Sequence, residues 1–421
     1  MSMQEYRTLQ RAIAMVVLAG LSGWALMASA APPGDPSQGD GGVSAFYSWT
    51  GDVPRQPGTL LRHEPLPEGL MLENASRGLR ILYSSTDGIR GQAPVSASGA
   101  VFLPKGTPPA GGWPIVAWAH GTVGIADVCA PSWGGRLQRD ATYLNAWLGQ
   151  GYAIVATDYQ GLGTPGGHPY FAARPHAYSV LDSVRAALKG LPGLANAVVV
   201  IGQSQGGAAA FAAAGYAPEY APDINLRGTV ATGVPSFSTA HLAKLADRSG
   251  DTVDLGIAYT MLLMHLAQQV VPELDPVEYL TDKARAIYER ATKACLGELF
   301  EATRAAALTR STVFKKDPLP FLSQTYQYLT YPTLALRQPT FIGIGEKDRD
   351  VPSAMQLELV KDSCAGGAPV QAHLYPGLGH SGAVNGSLPD SLPFVRQVMA
   401  GGPVASNCAA QPSLPGAAAK N

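Results

Sequence analysis

The sequence predicts an α/β fold: a mostly parallel central sheet flanked by helices, with a helical segment inserted between two late strands. Three observations predict it. Short apolar runs recur along the chain and alternate with helical patterns, as expected for strands buried on both faces of a parallel sheet. Glycine and proline, 48 and 34 of 421 residues, are spread without a collagen period and imply many tight turns. The alternation then stops across residues 235–336, where helical patterns follow one another with no strand between them.

The strand-like runs are Leu79–Ser84, Ala97–Leu103, Trp113–Ala119, Tyr152–Thr157, Ala197–Ile201, Thr229–Gly233, Thr340–Gly345 and Val370–Tyr375. Between them lie helical patterns at Leu137–Leu148, Ala177–Lys189, Gln205–Tyr216, Ser353–Asp362 and Ser391–Met399. The interrupted stretch offers Thr239–Asp247, Leu255–Val271, Pro276–Leu296 and Gly297–Thr309, and reads as a helical cap. Leu255–Val271 is very apolar, but it is short for a membrane span and carries His265, Gln268 and Gln269, so a buried cap helix is expected. The resulting organisation is a core of residues 56–234 and 337–408, a cap of 235–336, a flexible leader of 31–55 and a flexible tail of 409–421.

Residues 1–30 read as a secretory signal: Arg7 and Arg11, an uncharged apolar stretch from Ala12 to Leu26, then Ala28-Ser29-Ala30 before the cleavage point. The expected destination is secreted or periplasmic. A formal net charge of −1 removes the electrostatic basis for nucleic-acid binding. An apolar content of 46% with only 14% charged residues is the opposite of a disordered composition. No protein partner is implied. Four cysteines, Cys129, Cys295, Cys364 and Cys408, suit two disulfides in an exported chain, and their spacing leaves all three pairings open.

The chemistry-bearing motif is Gly202-Gln203-Ser204-Gln205-Gly206, a G-x-S-x-G that directly follows the AVVVI run and opens a small-residue helix. A sharp strand–turn–helix of this kind exposes a serine hydroxyl and needs residues without bulk two before and two after it. Ser204 is therefore the expected nucleophile, and the backbone N–H of Gln205 an expected oxyanion donor. A serine needs a base, and the base needs a carboxylate to fix its tautomer. In this class the order is Ser, acid, His. His380 lies in a Gly-rich loop after the last strand, whereas His373 alternates within that strand and reads as structural. Asp348 lies early in the loop after Thr340–Gly345, with Asp350 as competitor and Glu346 too close to the strand. Gly121 and Thr122, after Trp113–Ala119, are the expected second source of oxyanion donors, with His120 bracing that loop and Asp158 serving as scaffold. No metal or cofactor is expected: there is no H-E-x-x-H, no clustered Cys/His and no usable phosphate loop.

These residues, together with AWAHGT at 117–122, Cys129-Ala130-Pro131-Ser132 and TDYQGLGTPG at 157–166, resemble the secretory lipase family of α/β-hydrolases over roughly residues 45–400. The resemblance implies a Ser204–His380–Asp348 triad, an oxyanion contribution from the Gly121/Thr122 loop, and a helical cap over the site. It also implies hydrolysis of carboxylic esters, commonly acylglycerols, with contact to a lipid interface. It pairs Cys129 with Cys295 and Cys364 with Cys408. Leu255, Ile257, Met261, Leu262, Met264, Leu266 and Val270 of the apolar cap helix are the expected acyl-site lining. A carboxylesterase or acyltransferase acting on soluble, aryl or polymeric esters would use the same triad. An inactive binding protein of the same fold is the non-enzymatic alternative.

Overall fold

The computed structural model describes residues 42–414. The expected signal, the first part of the leader and the last residues of the tail lie outside the described residues. Nine strands form one sheet: β1 (Leu60–Pro65), β2 (Ala75–Thr86), β3 (Pro94–Pro104), β4 (Trp113–Ala119), β5 (Ala153–Gln160), β6 (Leu194–Gln203), β7 (Leu226–Thr232), β8 (Thr340–Gly345) and β9 (Val370–Tyr375). Their order is β9-β8-β7-β6-β4-β5-β3-β2-β1. The six strands β4 to β9 run parallel, and β1 to β3 form an antiparallel flank joined to β5 through β3. The parallel strands are buried nearly end to end, which is why they read as apolar runs rather than alternating ones.

Helices of eight residues or more are α1 (Gln138–Gly149), α2 (Ala173–Gly190), α3 (Gln205–Tyr220), α4 (Thr239–Ala246), α5 (Gly256–Val270), α6 (Asp282–Arg290), α7 (Leu296–Ala305), α8 (Ser353–Ala365) and α9 (Leu388–Met399). One core layer packs α2 and α3 against the sheet, and α1 and α9 cover the opposite face. Helices α4 to α7 lie between β7 and β8 and share a separate apolar cluster.

Four differences from the sequence reading have physical causes. The edge strand β1 has a polar, Pro-terminated sequence, LLRHEP, and is only partly buried, so no apolar run announces it. Within the segment expected to be a flexible leader, Tyr47 is fully buried and its hydroxyl hydrogen-bonds Ser132 Oγ at 2.7 Å. Aromatic anchors in a Gly/Pro-rich stretch overrode its composition. Pro276–Leu296 is not one helix. A 3-10 turn at Pro276–Glu278 is followed by an isolated bridge from Leu280 to Phe314, and α6 begins only after Thr281, whose Oγ1 donates to Thr312 O at 2.8 Å. Tertiary pairing there beats local propensity. Finally, α5 is apolar over most of its surface, so much of it is cap core: Ile257, Met261, Leu262, Met264 and Leu266 are buried in the cap cluster. No helix among the described residues is long and apolar enough to cross a membrane.

Two disulfides are present, Cys129–Cys295 and Cys364–Cys408, as the resemblance implied. The first ties the loop beyond β4 to the residue preceding α7, and Gly124 bridges Cys295 beside it. The second ties the end of α8 to the C-terminal segment.

Candidate active site

Strand β6 delivers Ser204 to a turn with φ 59° and ψ −120°, a conformation that side chains other than glycine rarely adopt. The turn is that tight because α3 starts at once. A Cβ on Gly202 would collide with the Gly206 carbonyl, and a Cβ on Gly206 with the Ala119 carbonyl. The two glycines of the motif are therefore a steric requirement of the elbow. Ser204 N–H donates to Thr232 O at 2.9 Å, which pins the turn to β7. As the first residue of α3, Gln205 has a backbone N–H with no acceptor inside the helix.

His380 follows β9, and Asp348 follows β8. His380 Nδ1–H donates to Asp348 Oδ2 at 2.7 Å. Asp348 is buried, and further donors satisfy it: Gln356 Nε2 on Oδ2 at 3.0 Å, and the N–H groups of Val351 and Asp350 on Oδ1 at 2.9 and 3.1 Å. The two loops are stitched together. Lys347 N–H donates to Leu378 O at 2.8 Å, and Glu346 Oε2 accepts from Gly377 N–H at 2.7 Å. Glu346 thus braces the histidine loop, while Asp350 is exposed at the cavity rim. His373 sits in β9, stacked on Phe341 at 5.0 Å and facing Asp390.

The loop after β4 carries His120, Gly121 and Thr122. His120 is buried; its Nδ1 pairs with Gly121 O at 2.7 Å, and its own carbonyl accepts from Tyr159 Oη at 2.8 Å. It braces the loop, and burial lowers its tendency to protonate. Thr122 Oγ1 hydrogen-bonds Tyr170 Oη at 2.9 Å. Asp158 is also buried, accepting from Ser98 Oγ at 2.7 Å and from Ser132 N–H at 2.9 Å, so it is committed to scaffold.

The side chains of five polar residues around the site were not given roles by sequence reasoning. The Gln203 amide nitrogen donates to His380 Nε2 at 2.9 Å. Gln205 places its amide nitrogen between His168 Nε2 at 2.9 Å and His176 Nε2 at 2.7 Å. Burial lowers the His168 pKa to about 4 and that of His176 well below the usual imidazole range, so both present lone pairs to that amide. Arg139 donates from Nε to Asp140 at 2.7 Å and from Nη1 to Ser381 Oγ at 3.2 Å, linking α1 to the histidine loop. Only the elbow position of Gln203 and Gln205 could have flagged them. The histidines and arginine are distant in sequence.

A cavity of about 830 Å³ opens over Ser204 and runs under the cap. Its apolar wall includes Tyr170, Phe171, Phe237, Leu245 and Met355, and charged Lys244, Arg310, Arg349 and Glu358 stand around it. From α5 and its N-cap, the wall takes Leu255, Tyr259 and Leu263 at four-residue spacing, with Gly256 and Thr260 beside them. Of the seven residues expected to line an acyl site, only Leu255 does so. The others point into the cap core or away, because only one stripe of this largely apolar helix faces the cavity. Asp348, Asp350 and His380 each offer a ligand atom within 4.8 Å of the others. A cation there would have to displace the Nδ1 proton that joins two of them.

An elbow at the end of a central parallel strand, a cap between β7 and β8, and acid and histidine loops after β8 and β9 define the α/β-hydrolase fold. The fold is also that of lipase A of Candida antarctica in its closed state (TM-score 0.69, 21% identity, covering 89% of this chain and 90% of that one). It is likewise that of LipA, the rice cell wall degrading esterase of Xanthomonas oryzae (TM-score 0.60, 21% identity, 82% and 97%). The profile of the secretory lipase family matches residues 129–407, and the chain belongs to that family. A probable inactive lipase of Mycobacterium tuberculosis is 28% identical over 253 residues, 56% of this chain; the match spans about half of that relative, 54% of its length.

Proposed function

We propose that the protein is a secreted serine carboxylester hydrolase, lipase-like, that cleaves acyl esters including acylglycerols through a Ser204–His380–Asp348 triad. The carrying observation is Ser204 itself: a non-glycine residue held at φ 59° in a strand–helix turn, lining the cavity, and next in the chain to Gln203, which hydrogen-bonds the His380 of the His380–Asp348 pair.

In the reaction, Ser204 Oγ bonds to the ester carbonyl carbon while His380 Nε2 takes the hydroxyl proton. The carbonyl oxygen becomes an oxyanion held by the N–H of Gln205 and by the Gly121/Thr122 loop. The bond to the leaving alkoxide then breaks, and His380 returns the proton to it. Water repeats the sequence on the acyl-enzyme and releases the acid. Asp348 keeps the Nδ1 proton in place throughout. No step uses a cofactor. The apolar wall of Tyr170, Phe171, Phe237, Tyr259 and Leu263 suits an acyl chain, and the two disulfides suit an oxidising, extracytoplasmic setting.

The testing experiment is a panel of p-nitrophenyl esters of rising acyl length beside emulsified triglyceride and an amide. Rising kcat/KM with acyl length, and turnover of triglyceride, are expected. Turnover confined to acetate, or to the amide, would refute the lipase-like reading. A second reading, a binding protein without turnover, is favoured by one observation: the hydrogen bond of His380 Nε2 goes to Gln203. Absence of turnover on the whole panel would support it.

A further inference from the structure

From this contact we infer that Gln203 is a positioning residue that caps the catalytic base between turnovers, so that Ser204 must displace it before attack. The inference rests on the triad reading above. Because Asp348 accepts the Nδ1 proton of His380 at 2.7 Å, neutral His380 has its lone pair at Nε2. That lone pair is the one Ser204 needs. In the resting structure it accepts from the Gln203 carboxamide at 2.9 Å.

The seat of Gln203 is built for this contact. Gln203 is buried, 1% exposed. Its oxygen lies 2.5 Å from where a Cβ on Gly121 would stand, so a side chain there would push the carboxamide aside. On the other side, a Cβ on Gly233 would stand 2.8 Å from His380 Cε1 and 3.5 Å from the Gln203 amide nitrogen. Two glycines from two different loops, one with φ +57°, thus clear the space in which the carboxamide and the imidazole meet. Gln203 thereby touches both the base and the expected oxyanion loop. Proton transfer from Ser204 requires Nε2 to exchange one donor, the Gln203 N–H, for another, the Ser204 O–H.

The cost of that exchange is one net buried hydrogen bond, which corresponds to about 2- to 10-fold in rate. The test uses the full chain and a p-nitrophenyl alkylphosphonate. In that reaction the Ser204 Oγ–P bond forms, p-nitrophenolate leaves and His380 receives the Ser204 proton. Gln203→Met keeps the volume and removes the donor; Gln203→Leu serves as a second variant, and thermal unfolding checks that both are folded. Expected is phosphonylation faster by about 2- to 10-fold at saturating reagent, with the half-saturating concentration unchanged. A spectroscopic signature should accompany it: in 15N-histidine-labelled protein, the His380 Nε2 resonance moves downfield when its hydrogen bond is lost, with His380→Asn identifying the peak. A merely structural role would slow labelling and leave that resonance where it is. Labelling at the parental rate or slower in folded variants overturns the role of Gln203 while leaving the triad intact. Failure of Ser204 to label in the parent and in every folded variant overturns the triad reading and this inference together.

Discussion

Replacing Asp348 by Asn should silence the base without dismantling the site, and the hydrogen bonds say why. Oδ1 of Asp348 accepts two backbone N–H groups, from Val351 at 2.9 Å and Asp350 at 3.1 Å. An asparagine must therefore leave its carbonyl oxygen at that position. Its NH2 then takes the place of Oδ2, facing His380 Nδ1 and Gln356 Nε2. Facing a donor, His380 turns to the other tautomer, with its proton on Nε2 and its lone pair on Nδ1. A base protonated on the serine side cannot accept the Ser204 proton, and the loss expected for the wrong tautomer is about 10⁴-fold in kcat. At 1.36 kcal/mol per decade this is about 5 kcal/mol of transition-state stabilisation. The folded state should lose roughly 1–3 kcal/mol, because Gln356 Nε2 then meets a donor. The assay is steady-state hydrolysis of p-nitrophenyl butyrate, with urea unfolding as the control. A folded Asp348→Asn protein within tenfold of the parental kcat would refute the assignment of Asp348 and redirect attention to Asp350.

Two further outcomes follow from the cavity and the buried histidines. Leu263→Trp, which places a ring in the cavity wall, should cut kcat/KM for a decanoate ester about tenfold more than for butyrate, since losing burial of even two methylenes costs about 1.6 kcal/mol; equal losses on both esters would show that the acyl chain lies elsewhere. Stability should fall on acidification between about pH 6.5 and pH 4. Burial lowers the pKa of His265 to about 4, as it does for His168, so the unfolded chain binds protons that the native state refuses. Each such histidine contributes about 3 kcal/mol above pH 6.5 that is lost toward pH 4. Burial of Asp182, which raises its pKa to about 6, acts in the opposite direction and offsets one of them. His265→Gln should flatten the dependence of the urea midpoint on pH; an unchanged slope would mean that His265 does not remain neutral in the fold.

What could be read in the sequence follows burial and locality. The parallel strands β4 and β8 were legible to the residue, because strands covered on both faces must be apolar throughout. The elbow was legible because its steric demands fall on residues two apart in the same turn. The Asp348 and His380 loops were legible because each directly follows a recognisable strand. The edge strand β1 was not, since a half-exposed strand has no apolar pressure on it. Nor was the cavity face of α5: among its many apolar residues no periodic mark shows which stripe meets the cavity and which meets the cap core. Gln203 stood in plain view inside the motif. Its contact with His380, however, joins residues 177 apart, and only the folded arrangement of β6 and the last loop brings them together.

The most direct measurement is the hydrolysis of p-nitrophenyl butyrate by purified Ser204→Ala protein beside the parent, with unfolding curves confirming that both are folded. If Ser204 Oγ is the nucleophile, kcat falls by on the order of 10⁴-fold or more while the fold persists. A folded Ser204→Ala protein that keeps kcat within tenfold of the parent would contradict it.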